Sequence, residues 1–285
     1  VGVVTESVAA LPTVIIPVHN ARQALQQCLE SVLRTVPANT EVLILDDASD
    51  DPSIPGLLRN YLGIGRPAWR LEQQTRNLGF VATVNRGMQM TTGNVVLLNS
   101  DTIVTQGWLE GLRRCLASDA TIATATPWSN NGEIVSIPRF CANNPVPGQL
   151  EEIAEVIART GLAVYPELPT AVGFCMAISR KAIKEVGAFD EELFGLGYGE
   201  ENDFSLRAKA AGYRNVLCDD VYIAHLGGCS FLPRGLSPDQ ESMQRLLSRH
   251  PDYLDGIGAF ITADPLSRRR EELLEALHEA RVSMS

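Results

Sequence analysis

The sequence predicts an α/β protein: a mostly parallel sheet flanked by helices, with further helices at the C-terminus. Three observations predict it. Val95-Val96-Leu97-Leu98 and Val42-Leu43-Ile44-Leu45 are runs of four apolar residues bounded by polar turn residues, the pattern of short strands buried on both faces. Segments of helical period alternate with such runs, as β-α-β units require. Both strands also end in carboxylates, Asp46-Asp47 on one and Asn99-Ser100-Asp101 on the other. That is the sheet edge where ligands of open α/β folds collect.

Residues 1–10 are weakly patterned and read as a lead-in. Val14-Ile15-Ile16-Pro17-Val18 is a first strand, after which Asn20 is suited to cap a helix. That helix carries Ala21, Leu25, Cys28, Leu29, Val32 and Leu33 on one face. With the strand at 42–45 it forms a β-α-β unit, for which a right-handed crossover is expected. Residues 50–55 are turn-rich and 56–62 a short helix, and 69–71 read as a third strand. The Asn77-Leu78-Gly79-Phe80 stretch leads into a helix carrying Val81, Val84 and Met88, with Gly93 suited to a left-handed cap. After the strand at 95–98 come a helix over 106–116 and a strand over 122–125.

From 127 to 147 the pattern gives way to Asn, Pro and Gly, and a loop this long in a compact domain is usually functional or disordered. A helix over 149–160, a strand over 172–178 and a helix over 181–186 follow. Residues 194–199 hold three glycines and read as a mobile loop that orders on substrate binding. A helix opens at Glu200, then two short strands, 216–218 and 221–224, the second delivering His225. Gly227-Gly228 is a further hinge-like spot, and beyond Pro238 the chain reads as helical.

The chain has 285 residues, 45% hydrophobic and 20% charged, with a net charge of −10. Material for a sizeable core is present, and the acidic balance argues against a nucleic-acid partner. An acidic protein that handles phosphates needs a divalent cation or helix N-termini. The six cysteines are scattered with no Cys-x-x-Cys pair, which fits buried free thiols in a reducing cytosol. A cytoplasmic protein is expected, with a peripheral seat at the inner face of a membrane left open. No apolar run reaches the length of a membrane span. The first residue is Val1, which fits a piece of a longer multidomain protein.

The candidate residues each have an ordinary reading as well. Acids after a strand commonly serve turns and caps. Glu200-Glu201-Asn202-Asp203 suits a helix N-terminus by its dipole, and a lone histidine after an apolar strand is more often structural. Their order tells more. Pro17-Val18-His19-Asn20, Leu45-Asp46-Asp47-Ala48-Ser49, Asn77-Leu78-Gly79-Phe80, Leu98-Asn99-Ser100-Asp101-Thr102, Gly199-Glu200-Glu201-Asn202-Asp203 and His225-Leu226-Gly227-Gly228 together resemble the successive signatures of family 2 glycosyltransferases. The resemblance covers roughly residues 12–232 and is nearest to the bacterial polysaccharide-building members.

The resemblance implies a GT-A fold, with a Rossmann-like sheet in one continuous domain. Residues 12–126 would form the nucleotide-sugar-binding half, 127–235 the acceptor-binding and catalytic half, and 236–285 a C-terminal helical extension. It implies a nucleotide-diphosphate sugar donor, a divalent metal (Mn²⁺ or Mg²⁺), inversion at the anomeric carbon, and a glycan, lipid-linked or protein acceptor. Donor-binding positions would be Pro17, Val18, Asn20, Asp47, Asn77, Gly79, Asn99 and Ser100. The metal would fall to Asp101 and His225. Asn99 stands where the family has the first Asp of its Asp-x-Asp motif, and a neutral carbonyl is a weaker ligand for these cations than a carboxylate. Glu201 stands at the family's catalytic base, with Glu200 and Asp203 as alternatives. Two rivals are a sugar nucleotidyltransferase, which usually has a glycine-rich, basic phosphate loop where this chain has Pro17–Arg22, and a non-catalytic nucleotide-sugar-binding domain. The latter would be expected to have lost the acids at 101 and 201.

Overall fold

The computed structural model describes residues 10–227 and 240–284, apart from 65, 67 and 196. The first half runs β1 (Thr13–Val18), α1 (Arg22–Thr35), β2 (Val42–Asp46), α2 (Ile54–Leu62), β3 (Trp69–Gln73), α3 (Phe80–Gln89), β4 (Val95–Leu98), β5 (Thr102–Val104), α4 (Trp108–Ser118) and β6 (Ile122–Trp128). A 3-10 turn (Glu133–Val135) and α5 (Leu150–Thr160) lead to β7 (Glu167–Leu168), β8 (Cys175–Ile178), α6 (Arg180–Val186), α7 (Glu191–Phe194), α8 (Glu200–Ala210) and β9 (Arg214–His225). Beyond the undescribed residues 228–239 come α9 (Gln240–Arg249), α10 (Tyr253–Ala263) and α11 (Ser267–Glu279). None of the described helices is long and apolar enough to cross a membrane.

The strands lie in the order β3-β2-β1-β4-β8-β6-β9-β5, with β7 also on β9. β3, β2, β1 and β4 run parallel, and β8 enters antiparallel between β4 and β6. Strand order reverses at β1: the chain steps outward to β2 and β3, then crosses back to place β4 on the other side of β1. A ligand crevice is expected beyond the carboxyl ends of strands at such a point.

Alternation along the strands builds both faces. Val14, Ile16 and Val18 join a core with Leu25, Leu29 and Val32 of α1, Trp108 and Leu112 of α4, Ile153 and Ile157 of α5, and Leu273 and Leu277 of α11. Ile15, Leu43 and Leu45 belong to a second core with Val81, Val84 and Met88 of α3, Phe204 of α8 and Leu246 of α9. α3 lies close on the sheet because residue 87 is glycine. A Cβ there would stand 2.8 Å from both Ile15 and Leu45 side chains.

Several local expectations are corrected. Asn20 does not cap α1: it and Ala21 both take positive φ, 60° and 52°, and the helix begins at Arg22. The Asn20 carboxamide oxygen instead accepts the backbone N–H groups of Asp50 and Asp51, pinning the loop after β2. Gly93 is not a left-handed cap, since α3 closes at Met90 with a φ of −78°. The two short strands at 216–224 are one continuous β9. Asp219 and Asp220 do not interrupt it, because Asp219 accepts from Arg269 (3.3 Å) and Asp220 pairs with Arg114 (2.9 Å). The C-terminal segment is three helices separated by turns, not one run.

The 127–147 stretch is ordered by two asparagines. Asn144 Nδ2 donates to the carbonyls of Asn130 and Arg139, and Asn130 Nδ2 returns a bond to the Asn144 carbonyl. This clamp carries residues 130–133 to the edge of the sheet. Four of the cysteines are buried free thiols as expected, while Cys141 is exposed and Cys229 lies outside the described residues.

Candidate active site

Three parallel strands end at one edge. Val18 of β1 is in register with Asp46 of β2, and Leu98 of β4 is followed directly by Asn99, Ser100 and Asp101. Asp47 sits just past β2 with both carboxylate oxygens engaged. Oδ1 accepts from the Leu78 N–H at 2.7 Å and Oδ2 from the Gly79 N–H at 2.9 Å. The Asp47 carbonyl accepts from Asn77 Nδ2 (3.2 Å). Asp47 therefore fixes the loop that opens α3, while its oxygens keep further lone pairs toward the cavity.

The short strand β5 decides where Asp101 lies. It pairs antiparallel with the end of β9, with Thr102 opposite His225. That register brings His225 Nε2 to 3.4 Å from Asp101 Oδ1. Nδ1 of the same ring donates to the Asn131 carbonyl at 2.7 Å, which leaves the Nε2 lone pair facing Asp101 in the neutral ring. The backbone of His225 exchanges two bonds with the Asn130 carboxamide, and its ring stacks on Phe174 with centroids 5.4 Å apart. Burial disfavours the charged imidazolium, but the Asp101 carboxylate and the Asn131 carbonyl outweigh it and raise the pKa.

Asp101 and His225 fit a divalent cation. One is a carboxylate, the other an imidazole whose remaining nitrogen is committed to a backbone carbonyl, the usual arrangement behind a metal-bound histidine. Among the described residues no third His, Cys, Asp or Glu joins them at metal-holding distance. The chain thus offers a partial donor set, which an oxygen-rich ligand would complete.

Gly199 caps α8 with a φ of 99°, so Glu200 and Glu201 stand in its first turn. Both line the same cavity as Asp101 and His225, about 470 Å³ in volume. Burial first, then the neighbouring Glu201 charge, push the Glu200 carboxyl well above the ordinary range. Burial also raises Glu201, to about 7, with the charge of Glu133 adding and backbone N–H groups opposing. One oxygen of each carboxyl has no hydrogen-bond partner among the described residues. Asp203 is turned away. It is fully buried and takes hydrogen bonds from Arg207 (2.8 Å), Arg249 (3.2 Å) and His250 (2.9 Å). The expectation that it serves as an alternative base meets a residue that does not line the cavity, because the helix turn sends its side chain toward α9.

The other sequence-chosen positions divide similarly. Pro17, Val18, Asp47, Asn77, Gly79, Asn99 and Ser100 line the cavity, whereas Asn20 does not. Sequence reading missed His19, Asn131, Glu133 and Phe174, which line it too. His19 lay inside a quoted motif. The other three had no periodic or motif signal, except that Asn130-Asn131-Gly132 marks a turn.

The strand order, with nucleotide-type loops after β1, β2 and β4 and an acid pair on α8, defines a GT-A glycosyltransferase fold. Over 95% of this chain and 55% of the other, it resembles the crystal structure of GalNAc-T7 with UDP, GalNAc and Mn²⁺ (TM-score 0.62, 17% identity). The chain belongs to glycosyl transferase family 2, whose model matches residues 13–187. It is 30% identical over 121 residues to glycosyltransferase GlyA of Streptococcus pneumoniae serotype 4, 42% of this chain and 17% of that protein. It is 29% identical over 228 residues to the pre-mycofactocin glycosyltransferase of Mycobacterium tuberculosis, 75% of this chain and 42% of that protein. The chain thus spans less than half the length of these relatives.

Proposed function

We propose that the chain is a metal-dependent, inverting glycosyltransferase that moves a sugar from a nucleotide-diphosphate sugar to a hydroxyl of an acceptor. The observation that carries this reading is one cavity bounded on one side by Asp101 and His225 and on another by Glu200 and Glu201. Family membership and the fold shared with a UDP- and Mn²⁺-bound neighbour support it.

The loops after β1 and β2, with Pro17, Val18 and Asp47, hold the nucleoside, and Asn77 and Gly79 shape the same wall. Asn99 and Ser100 face the sugar diphosphate. Asp101 and His225 would hold Mn²⁺ or Mg²⁺. Bound there, the cation acts as a Lewis acid that stabilises the charge of the leaving diphosphate without proton transfer. Glu201 takes the proton of the acceptor hydroxyl. The acceptor oxygen bonds to the anomeric carbon as the bond from that carbon to the diphosphate breaks, and the nucleoside diphosphate departs. A single displacement of this kind inverts the anomeric centre. A base poised near 7 is half-ionised at neutral pH, where general-base catalysis is most effective. Glu200, against it, keeps a proton to higher pH and limits the charge of the pair.

Assembly of a bacterial surface polysaccharide or glycoconjugate in the cytoplasm is the biological setting we propose, in line with the bacterial relatives. The test is a screen of nucleotide-sugars for slow hydrolysis with Mn²⁺ present, which identifies the donor before the acceptor is known. Absence of turnover with every nucleotide-sugar would overturn the reading.

A further inference from the structure

A second cavity, of about 190 Å³, borders the first, and the two share Glu133 and Asn143. Its far wall is α10, which presents Tyr253, Ile257 and Ile261 at spacings of four, one face of the helix. Thr170 closes the floor. This volume is below the roughly 300–1,000 Å³ of a drug-sized site, so it suits one small ring rather than a lipid tail.

Glu133 stands where the cavities meet. Its backbone holds a left-handed φ of 51°, uncommon for a residue with a side chain. The turn is fixed by bonds from the Val135 N–H to the Gly132 carbonyl (2.9 Å) and from the Gly132 N–H to Ser136 Oγ (2.9 Å). None of the described residues donates a hydrogen bond to the Glu133 carboxylate; the residue reaches the opening, and the partial burial of its carboxyl raises its pKa. Glu133 lines the first cavity with Glu201 and the second with Tyr253, so it lies close to the transfer site.

The electrostatics choose among acceptors. Glu133 is shared by the two cavities and Glu201, half-ionised near pH 7, lines the first, while no lysine or arginine stands among the described residues lining either. A phosphate or carboxylate acceptor would meet like charge there. A neutral pyranose matches the surface on both counts. Its C–H face packs on an aromatic ring and aliphatic side chains, and its hydroxyl rim donates to a free carboxylate.

Resting on the glycosyltransferase reading, we infer that the acceptor is an uncharged sugar. Its terminal ring occupies the side cavity, lies against Tyr253 and Ile257, and is oriented by Glu133 so that one hydroxyl faces Glu201. Glu133 is a specificity-determining residue in this scheme, since it touches the acceptor but takes no proton in the transfer.

Saturation-transfer NMR on the full chain with Mg²⁺ tests it, using methyl glycosides of neutral hexoses, deoxyhexoses and N-acetylhexosamines beside methyl glucuronide and citronellyl phosphate. At least one neutral glycoside should bind in preference to both anions. Ile257→Trp, which fills the cavity, should weaken that glycoside at least ~10-fold relative to nucleotide, and Glu133→Gln several-fold. If Ile257→Trp does not fold, as judged by its thermal melt, Glu133→Gln decides alone. The inference is overturned if no neutral glycoside binds, if either anion binds as tightly, or if the folded variants bind like the wild type. Hydrolysis of a nucleotide-sugar alongside unaltered glycoside binding in the variants overturns the subsite only. Glycoside binding that responds to the variants, without turnover of any donor, overturns the transferase reading only.

Discussion

His225 aims Nε2 at the Asp101 carboxylate across 3.4 Å while its Nδ1 is spent on the Asn131 carbonyl. The carbonyl sets the tautomer of the neutral ring, so a cation bound as we propose would meet the imidazole lone pair with no rotation of the ring. Calorimetric titration of Mn²⁺ in the presence of nucleoside diphosphate should therefore show binding that Asp101→Ala abolishes. His225→Ala should weaken it by roughly 10–100-fold, the usual effect of removing a metal-site group. EDTA should stop transfer and added Mn²⁺ or Mg²⁺ restore it. Full activity of Asp101→Ala would remove the metal assignment.

Asp47 is expected to matter twice. Its carboxylate holds the N–H groups of Leu78 and Gly79, and it lines the cavity where we propose that the nucleoside binds. Asp47→Asn keeps an acceptor but places an NH₂ against one of those donors. Nucleotide affinity should fall by about 10-fold or more in Asp47→Ala, with a loss of roughly 1–3 kcal/mol in stability from the orphaned N–H groups. Unchanged nucleotide affinity with lowered stability would make Asp47 a loop anchor alone.

Glu201→Gln should bind donor normally and lose transfer by ~10²-fold or more. In the wild type, the rate should climb with pH through an acid limb near 7, as the base loses its proton. Stability should run the other way. A carboxyl whose pKa is higher folded than unfolded binds more protons in the native state, so stability falls as pH rises from the ordinary carboxyl value through 7. Removing that charge should raise the melting temperature of Glu201→Gln by a few degrees at pH 8 and by almost nothing at pH 4, at roughly 2–4 °C per kcal/mol. Equal melting curves at both pH values would contradict the shift.

The sequence suggests a mobile loop over residues 194–199, and its backbone explains which position is least replaceable. Gly199 has a φ of 99°, and a Cβ on it would stand 2.9 Å from the Phe194 ring. Gly199→Ala should cost about 1–3 kcal/mol and displace the acids that follow. Hydrogen exchange across the loop should slow when donor and acceptor are both present. Protection that is already strong in the free protein would count against closure.

Strands buried on both faces were easy to read, because four apolar residues between turn signals leave few alternatives. β1, β2 and β4 appear where expected, and so do the acids at their ends. What escaped was set by long-range pairing. Thr102-Ile103-Val104 is too short to announce a strand, and only its pairing with β9 brings Asp101 to His225. Asp219-Asp220 looked like a break because partners such as Arg269 lie 50 residues away. Asp203 was indistinguishable from Glu200 and Glu201 for the same reason. Its partners Arg249 and His250 come from a helix that no local pattern ties to it. Glu133 had only the Asn131-Gly132 turn beside it, and nothing in that turn points at a cavity.

The ion cluster on Asp203 bears on how the protein is cut for expression. Arg207 reaches this carboxylate from α8 itself, while Arg249 and His250 arrive from the end of α9, and Arg249 also holds Asp190 at 2.7 Å. A boundary drawn at residue 187, the end of the matched family model, would remove α8 with its acids, and one drawn between α8 and α9 would strip two of the three partners from a fully buried charge. Leaving such a charge short of partners costs on the order of 3–5 kcal/mol, a large part of a domain's net stability. The helix that presents Glu200 and Glu201 would then be the first to loosen. Domain dissection here should keep α9 with α8, and shuffling of C-terminal portions between relatives should splice upstream of Gly199 or not at all.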